Sequence, residues 1–223
     1  MKPPSRFLTQ KRLVPDVASA CHKDLASNSQ TNSSKYSMKI IGITGTLGAG
    51  KGTIVDYLQD KHGFKHFSVR GFLTEIINQR KLPLNRDTMV EVANELRAKH
   101  APSYIVEKLY EKAKESNTDS IIESIRTVGE IQSLRKLDGF RLLAVDAHAE
   151  LRYERILERN SETDRISFET FKENEGREMT STDINKQNLG ACIAQADFKL
   201  MNDGSFDNLF VQIETSLKQL YGV

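Results

Sequence analysis

Gly45-Thr46-Leu47-Gly48-Ala49-Gly50-Lys51-Gly52-Thr53 follows directly on the apolar run Lys39-Ile40-Ile41-Gly42-Ile43-Thr44. The order is a strand, a glycine-rich turn and the opening of a helix, which is what a phosphate-binding loop requires. Glycines let the backbone curl until successive N–H groups point at one anion, and the helix N-terminus adds its partial positive charge. On this reading Gly45, Gly48, Ala49, Gly50 and Gly52 form the cradle and Lys51 reaches the outer phosphates of ATP. The hydroxyl that faces a magnesium ion comes one position late, on Thr53, because Gly52 stands where Ser or Thr is usual.

Outward from this loop, four more short runs read as buried parallel strands: Lys65–Val69, Asp119–Ser124, Phe140–Asp146 and Asp197–Asn202. Charged segments of helical pattern separate them: Val55–Lys61, Leu73–Gln79, Met89–Ala98, Tyr104–Glu115, Ile131–Leu137, Leu151–Arg159 and Phe206–Leu220. Strand alternating with helix predicts a three-layer α/β domain over 38–223. A five-stranded parallel sheet carries helices on both faces, and ligands bind at the carboxyl ends of the strands. Two stretches fit less well as sheet-covering helices. Residues from about 71 to 102 hold two helices without an intervening strand and read as an acceptor-binding insert. Residues from about 160 to 188 are dense in charged and hydroxyl side chains and read as a short lid. Phe168 and Phe171 suit either the lid's own helix or a plain surface helix.

Composition narrows the classes. With 38% hydrophobic and 28% charged residues the chain reads as a globular protein. No stretch approaches the roughly 18 apolar residues that cross a bilayer. Residues 1–37 carry six Lys/Arg against two Asp, while the remainder carries 26 Lys/Arg against 28 Asp/Glu. A near-neutral body argues against a nucleic-acid partner. The first 37 residues hold three prolines and the polar run Ser27–Ser34, and read as a disordered tail or a misassigned start at Met38 rather than a targeting peptide. Cys21 and Cys192 have no metal-ligand spacing, which favours a reducing compartment and a cytoplasmic setting. The five histidines form no metal site of protein ligands alone.

The third strand ends Ile121-Ile122-Glu123-Ser124-Ile125-Arg126. An acid there is placed to hold magnesium, largely through water, and Arg126 can reach a phosphoryl group or the acceptor's phosphate. Arg152, Arg155 and Arg159 share a broad helical face, and arginine's planar fork clamps phosphoryl oxygens without giving up a proton. Arg152 and Arg155 read equally as surface charges. Arg159 and Arg177 bracket the lid and are the catalytic candidates, with Lys51 and Arg126. Ser68 and Arg70 end the second strand on the loop's side, as acceptor contacts.

The loop Gly-x-Gly-Lys-Gly-Thr at 48–53 resembles that of adenylate kinase and the other nucleoside monophosphate kinases. More of the chain is similar to an AAA-labelled branch of P-loop kinases from archaea and bacteria, often called dephospho-CoA-kinase-like or adenylate-kinase-like. The resemblance rests on Gly63–Ser68, Ala93–Arg97, Ile122–Arg126, Val145–Ala147, Arg152–Arg159, Arg177-Glu178 and Ala196–Phe198 followed by Asn202-Asp203-Gly204. It covers essentially all of 38–220. It implies a P-loop NTPase fold, Lys51 on the donor phosphates, Thr53 on magnesium, Arg126 on the acceptor phosphate and lid roles for Arg159 and Arg177. It also sets Arg97 beside Ser68 and Arg70 on the acceptor side, and Asn202 and Gly204 beside the donor adenine. Two departures leave the acceptor open: Val69-Arg70-Gly71-Phe72 replaces the usual Gly-Asp with a nearby arginine, and Glu123 replaces Asp.

The expectation is a magnesium-dependent kinase, monomer or homodimer, that moves the γ-phosphoryl group of ATP to a small phosphorylated acceptor, foremost a nucleoside monophosphate. Dephospho-CoA kinase is the rival enzyme, with Glu123 or Asp146 as the base its hydroxyl acceptor needs. An ATP-binding switch without transfer is the rival of another class.

Overall fold

A computed structural model describes residues 38–159, 166–183 and 185–222. The expectations placed on residues 1–37 and on 160–165 lie outside these residues. In chain order the described elements are β1 (Ile40–Gly45), α1 (Lys51–His62), β2 (Lys65–Ser68), α2 (Val69–Gln79), α3 (Arg86–Lys99), α4 (Tyr104–Ser116) and β3 (Ser120–Glu123). There follow α5 (Val128–Leu134), β4 (Phe140–Asp146), α6 (Ala149–Arg159), α7 (Phe168–Met179), α8 (Leu189–Ala194), β5 (Phe198–Met201) and α9 (Phe206–Tyr221).

The five strands form one sheet in the order β2-β3-β1-β4-β5, and each pairing is parallel. β1 lies at the centre, paired with Ser120–Glu123 on one side and Phe140–Val145 on the other, and all six of its residues are buried. This is the expected three-layer α/β architecture.

Strand side chains alternate between faces, and the two faces gather two cores. Ile40, Ile122, Phe140 and Leu142 pack with Val69 and Leu73 of α2, Val92 and Leu96 of α3, Ile105 and Leu109 of α4, and Ile131 of α5. Ile41, Ile43, Ile121, Leu143 and Leu200 pack with Ile54 and Leu58 of α1 and Leu209, Ile213 and Leu217 of α9. Each fully buried aliphatic side chain contributes roughly 1.5–3 kcal/mol to burying these faces.

Three helices stand in succession between β2 and β3, at the three segments whose helical pattern predicts them. The six-residue α8, missed by the helical pattern, adds the buried Leu189 and Cys192 to the fold. Among the described residues no helix is long and apolar enough to cross a membrane.

Candidate functional site

β1 ends at Gly45, and the chain turns through Thr46–Gly50 into α1, so the loop stands at the carboxyl edge of the central strand. Two positions in it demand glycine. Gly48 has φ 81°, and a Cβ there would lie 2.4 Å from the Arg152 carbonyl oxygen. Gly50 has φ 99°, and its Cβ would meet Asn202 Nδ2 at 2.3 Å. Gly50 is also the N-cap of α1 and offers no side chain to the first helical amides, which are left without intrahelical partners. Such a terminus favours an anion.

The loop is braced from outside. Thr46 Oγ1 donates to Asp146 Oδ1 at 2.5 Å at the end of β4. Asn202 Nδ2, after β5, donates to the Ala49 carbonyl at 2.9 Å. Arg152 donates to the carbonyls of Ala147 and Leu47 at 2.7 and 3.2 Å and pairs with Glu175 at 2.5 Å. Arg152 is therefore a buried strut, 5% exposed. Its place on the shared arginine face of α6 turns it inward, onto these backbone carbonyls.

Lys51 Nζ donates to the carbonyls of Gly45 and Thr46, at 2.8 Å each. Burial of the ammonium, with the nearby Arg126 guanidinium, brings its pKa down to about 8. Glu123 accepts the Ser124 hydroxyl at 2.9 Å and lies 3.4 Å from His66 Nε2. Burial alone would raise the Glu123 pKa, but His66, Lys51 and Ser124 together hold it below the ordinary carboxylate value. The backbone turns at Ser124 with φ 72°, a left-handed conformation uncommon for a side-chain-bearing residue. The N–H groups of Ser124 and Ile125 then both reach the Ile43 carbonyl, at 2.9 and 3.1 Å, and the chain swings Arg126 toward the loop.

One cavity of about 560 Å³ joins these groups. Seven cationic side chains line it, against three acidic ones. Lys51, Thr53, Arg70, Arg97, Glu123, Arg126, Arg159 and Asn202 all reach it, with Gly48, Gly50 and Gly52 of the loop. Ser68, Arg177 and Gly204 are not among its lining residues. Ser68 caps α2 by accepting the Gly71 N–H at 3.1 Å, exposed Arg177 donates to Asn174 on its own helix, and Gly204 is exposed beside Asn208. Gly45 and Ala49 shape the loop through their carbonyls instead. Asp146, the alternative base, is engaged by Thr46 and by the Ala147 N–H.

α2 and α3 give the cavity apolar walls, including Val69, Leu73, Met89 and Ala93. At its floor Arg97 is paired with Glu130, whose Oε1 accepts Arg97 Nε and Nη2 at 3.2 and 2.8 Å. Sequence reasoning overlooked Arg86, Glu178 and Gln187, which also line the cavity. Their partners are far along the chain, so only the Asn85 cap ahead of Arg86 carried a local signal.

The family described as an AAA domain matches residues 41–182. A UPF0200 protein of Methanococcus vannielii is 29% identical over 187 residues, which is 82% of this chain and 97% of the relative. A UPF0200 protein of Methanothermobacter thermautotrophicus is 29% identical over 185 residues, or 82% of this chain and 91% of its own. Among solved structures, TT1252 from Thermus thermophilus matches with a TM-score of 0.58 and 20% identity, covering 83% of this chain and 100% of that one. Shikimate kinase from Bacteroides thetaiotaomicron matches with a TM-score of 0.52 and 12% identity, covering 84% and 100%. At these identities the solved structures establish a shared P-loop NTPase fold.

Proposed function

The chain belongs to the AAA-domain family, matched over residues 41–182, and from that premise we propose that it is an ATP-dependent kinase acting on a small phosphorylated acceptor, a nucleoside monophosphate. The observation that carries this reading is the charge of the cavity: seven cations against three acids, spread from the glycine loop to an apolar slot. A site of that kind suits two polyanions, one of which has an apolar, flat body.

The loop fits a nucleotide's phosphates, because Gly48 and Gly50 leave room where any Cβ would collide. Lys51 and the α1 amides would hold the donor phosphates, with Thr53 and Glu123 toward magnesium. Magnesium, when bound, neutralises charge on the phosphate oxygens. Arg126 and Arg159 hold the charge that spreads over the transferring group, and a phosphate acceptor is already ionised, so no general base is needed. The insert of about 71–102 forms the acceptor side, where α2 and α3 supply the apolar walls. The segment of about 160–188 closes as the lid and excludes water. Its described helix α7 reaches the cavity through Glu178.

A hydroxyl acceptor, as in dephospho-CoA kinase, is the second reading. One observation favours it: Glu123 is a cavity-lining carboxylate held ionised, as a base must be. Purified protein with ATP, magnesium and a panel of nucleoside monophosphates and dephospho-CoA, followed by ADP release, tests both. Transfer to no nucleoside monophosphate, with transfer to dephospho-CoA or another metabolite, removes the first acceptor. ATP hydrolysis indifferent to every small acceptor supports the switch instead.

A further inference from the structure

Arg86 opens α3, whose N-cap Asn85 accepts the Thr88 N–H at 2.8 Å. Its Nη2 donates to Glu178 Oε1, while Arg126 Nη1 donates to the other oxygen, Oε2, at 2.6 Å. One carboxylate thus bridges two arginines from separate parts of the fold: the start of α3 and the turn after β3. The carboxylate itself comes from the end of α7. All three side chains line the cavity. Glu178 is 8% exposed. Burial alone would raise its pKa, but Arg126 and Arg86 bring it below the ordinary carboxylate value.

Two forked guanidinium groups around one anion form the usual geometry for holding a phosphate. Here a side chain of the protein fills that geometry. A carboxylate brings one charge and two oxygens, whereas a phosphomonoester brings about −1.5 to −2 and three free oxygens. The start of α3 adds a helix N-terminus that favours whichever anion lies there.

We propose that Arg86 and Arg126 form the clamp for the acceptor's phosphate, and that Glu178 is a resident carboxylate occupying the clamp until the acceptor displaces it. This inference rests on the kinase reading and narrows its substrate class to phosphomonoesters. A neutral hydroxyl cannot take the carboxylate's place without leaving two poorly solvated guanidinium charges uncompensated. Exchange also releases the end of α7, so acceptor binding and movement of that helix become one event. Gln187 Oε1, which accepts from Arg126 Nη1 at 2.8 Å, is neutral and keeps Arg126 aimed during the exchange.

The test is calorimetric titration of inorganic phosphate into the full chain with the loop saturated by ADP and magnesium. Glu178→Gln keeps the side chain's shape and removes its charge, and should bind phosphate at least tenfold more tightly than the parent. Arg86→Ala should bind phosphate at least tenfold more weakly, and Arg86→Lys should recover part of that loss. ADP affinity should stay within about twofold in all three. Equal or weaker phosphate binding by Glu178→Gln overturns the proposal, since Glu178 would then merely brace the arginines. Unchanged binding in Arg86→Ala overturns it independently, and decides the matter if Glu178→Gln lacks a cooperative melt. Failure of the parent to bind ADP fails the kinase reading itself, and is seen before any phosphate is added.

Discussion

Replacing Glu130 by Gln should destabilise this protein by about 3–5 kcal/mol, the range for removing one partner of a buried ion pair. The side chains of Glu130 and Arg97 are 0% and 1% exposed. Oε1 takes two Arg97 donors, and Oε2 accepts the backbone N–H groups of Arg126 and Thr127 at 2.8 and 3.0 Å. An amide in this place keeps one acceptor oxygen and turns the other into a donor among donors, while the Arg97 charge stays buried without its counter-ion. For a folded unit of this size each kcal/mol moves Tm by roughly 2–4 °C. The expected fall is therefore on the order of 6–20 °C, read by scanning calorimetry without ligand. Pairing Glu130→Gln with Arg97→Met removes both charges, together with the Arg97 Nη1 that has no hydrogen-bond partner among the described residues. At least half of the loss should return. A fall under about 2 °C, or a double variant no better than the single one, refutes the assignment of this pair as a buried charge couple.

Lys51→Ala should lower turnover by at least about 10²–10³-fold, the range for losing one preorganised charge contact in the transition state, with the fold intact; wild-type rates would take Lys51 out of the mechanism. The Lys51 pKa of about 8 sets a pH dependence of nucleotide binding. The ammonium is charged below pH 8 and loses its proton above it, so ADP affinity should weaken by up to about tenfold per pH unit beyond 8, and a flat profile to pH 9.5 contradicts this. Because that pKa lies below the ordinary lysine value of 10.5, the unfolded chain holds the proton more tightly, and this residue's contribution to stability rises with pH between about 8 and 10.5. Gly50→Ala forces a side chain into a left-handed backbone and against Asn202, so nucleotide affinity should collapse and Tm fall by several degrees; normal ADP binding would show that the loop does not need its cradle.

What the sequence made legible is what is local. β1, the loop and the start of α1 are contiguous, and their order can be read without knowing what packs on them. β4 runs over Phe140–Asp146 as its apolar pattern predicts, because a strand buried on both faces shows itself as a run. Pairings across the chain were illegible. Arg97 and Glu130 are 33 residues apart, and Arg86 and Glu178 are 92 apart, so neither partnership leaves a local pattern. Arg152 shows the same limit in reverse: helical spacing grouped it with Arg155 and Arg159, but only the packing of α6 against the loop shows that it faces inward. α8 escaped because Leu189–Ala194 is shorter than two helical turns and has no periodicity to detect.

The central position of β1 bears on how the chain is made. β1 is the first of the described strands to leave the ribosome, yet Ile40 pairs with Ser120 on one side and Phe140 on the other. For some eighty residues of synthesis, about 4–16 s at ordinary elongation rates, Ile40-Ile41-Gly42-Ile43 has neither neighbour and both of its edges are open. Asn202, which ties Ala49 in place, arrives 153 residues after it. Nascent chains therefore expose an apolar strand before they can hold a nucleotide, and chains cut short before β4 should aggregate rather than remain as soluble fragments.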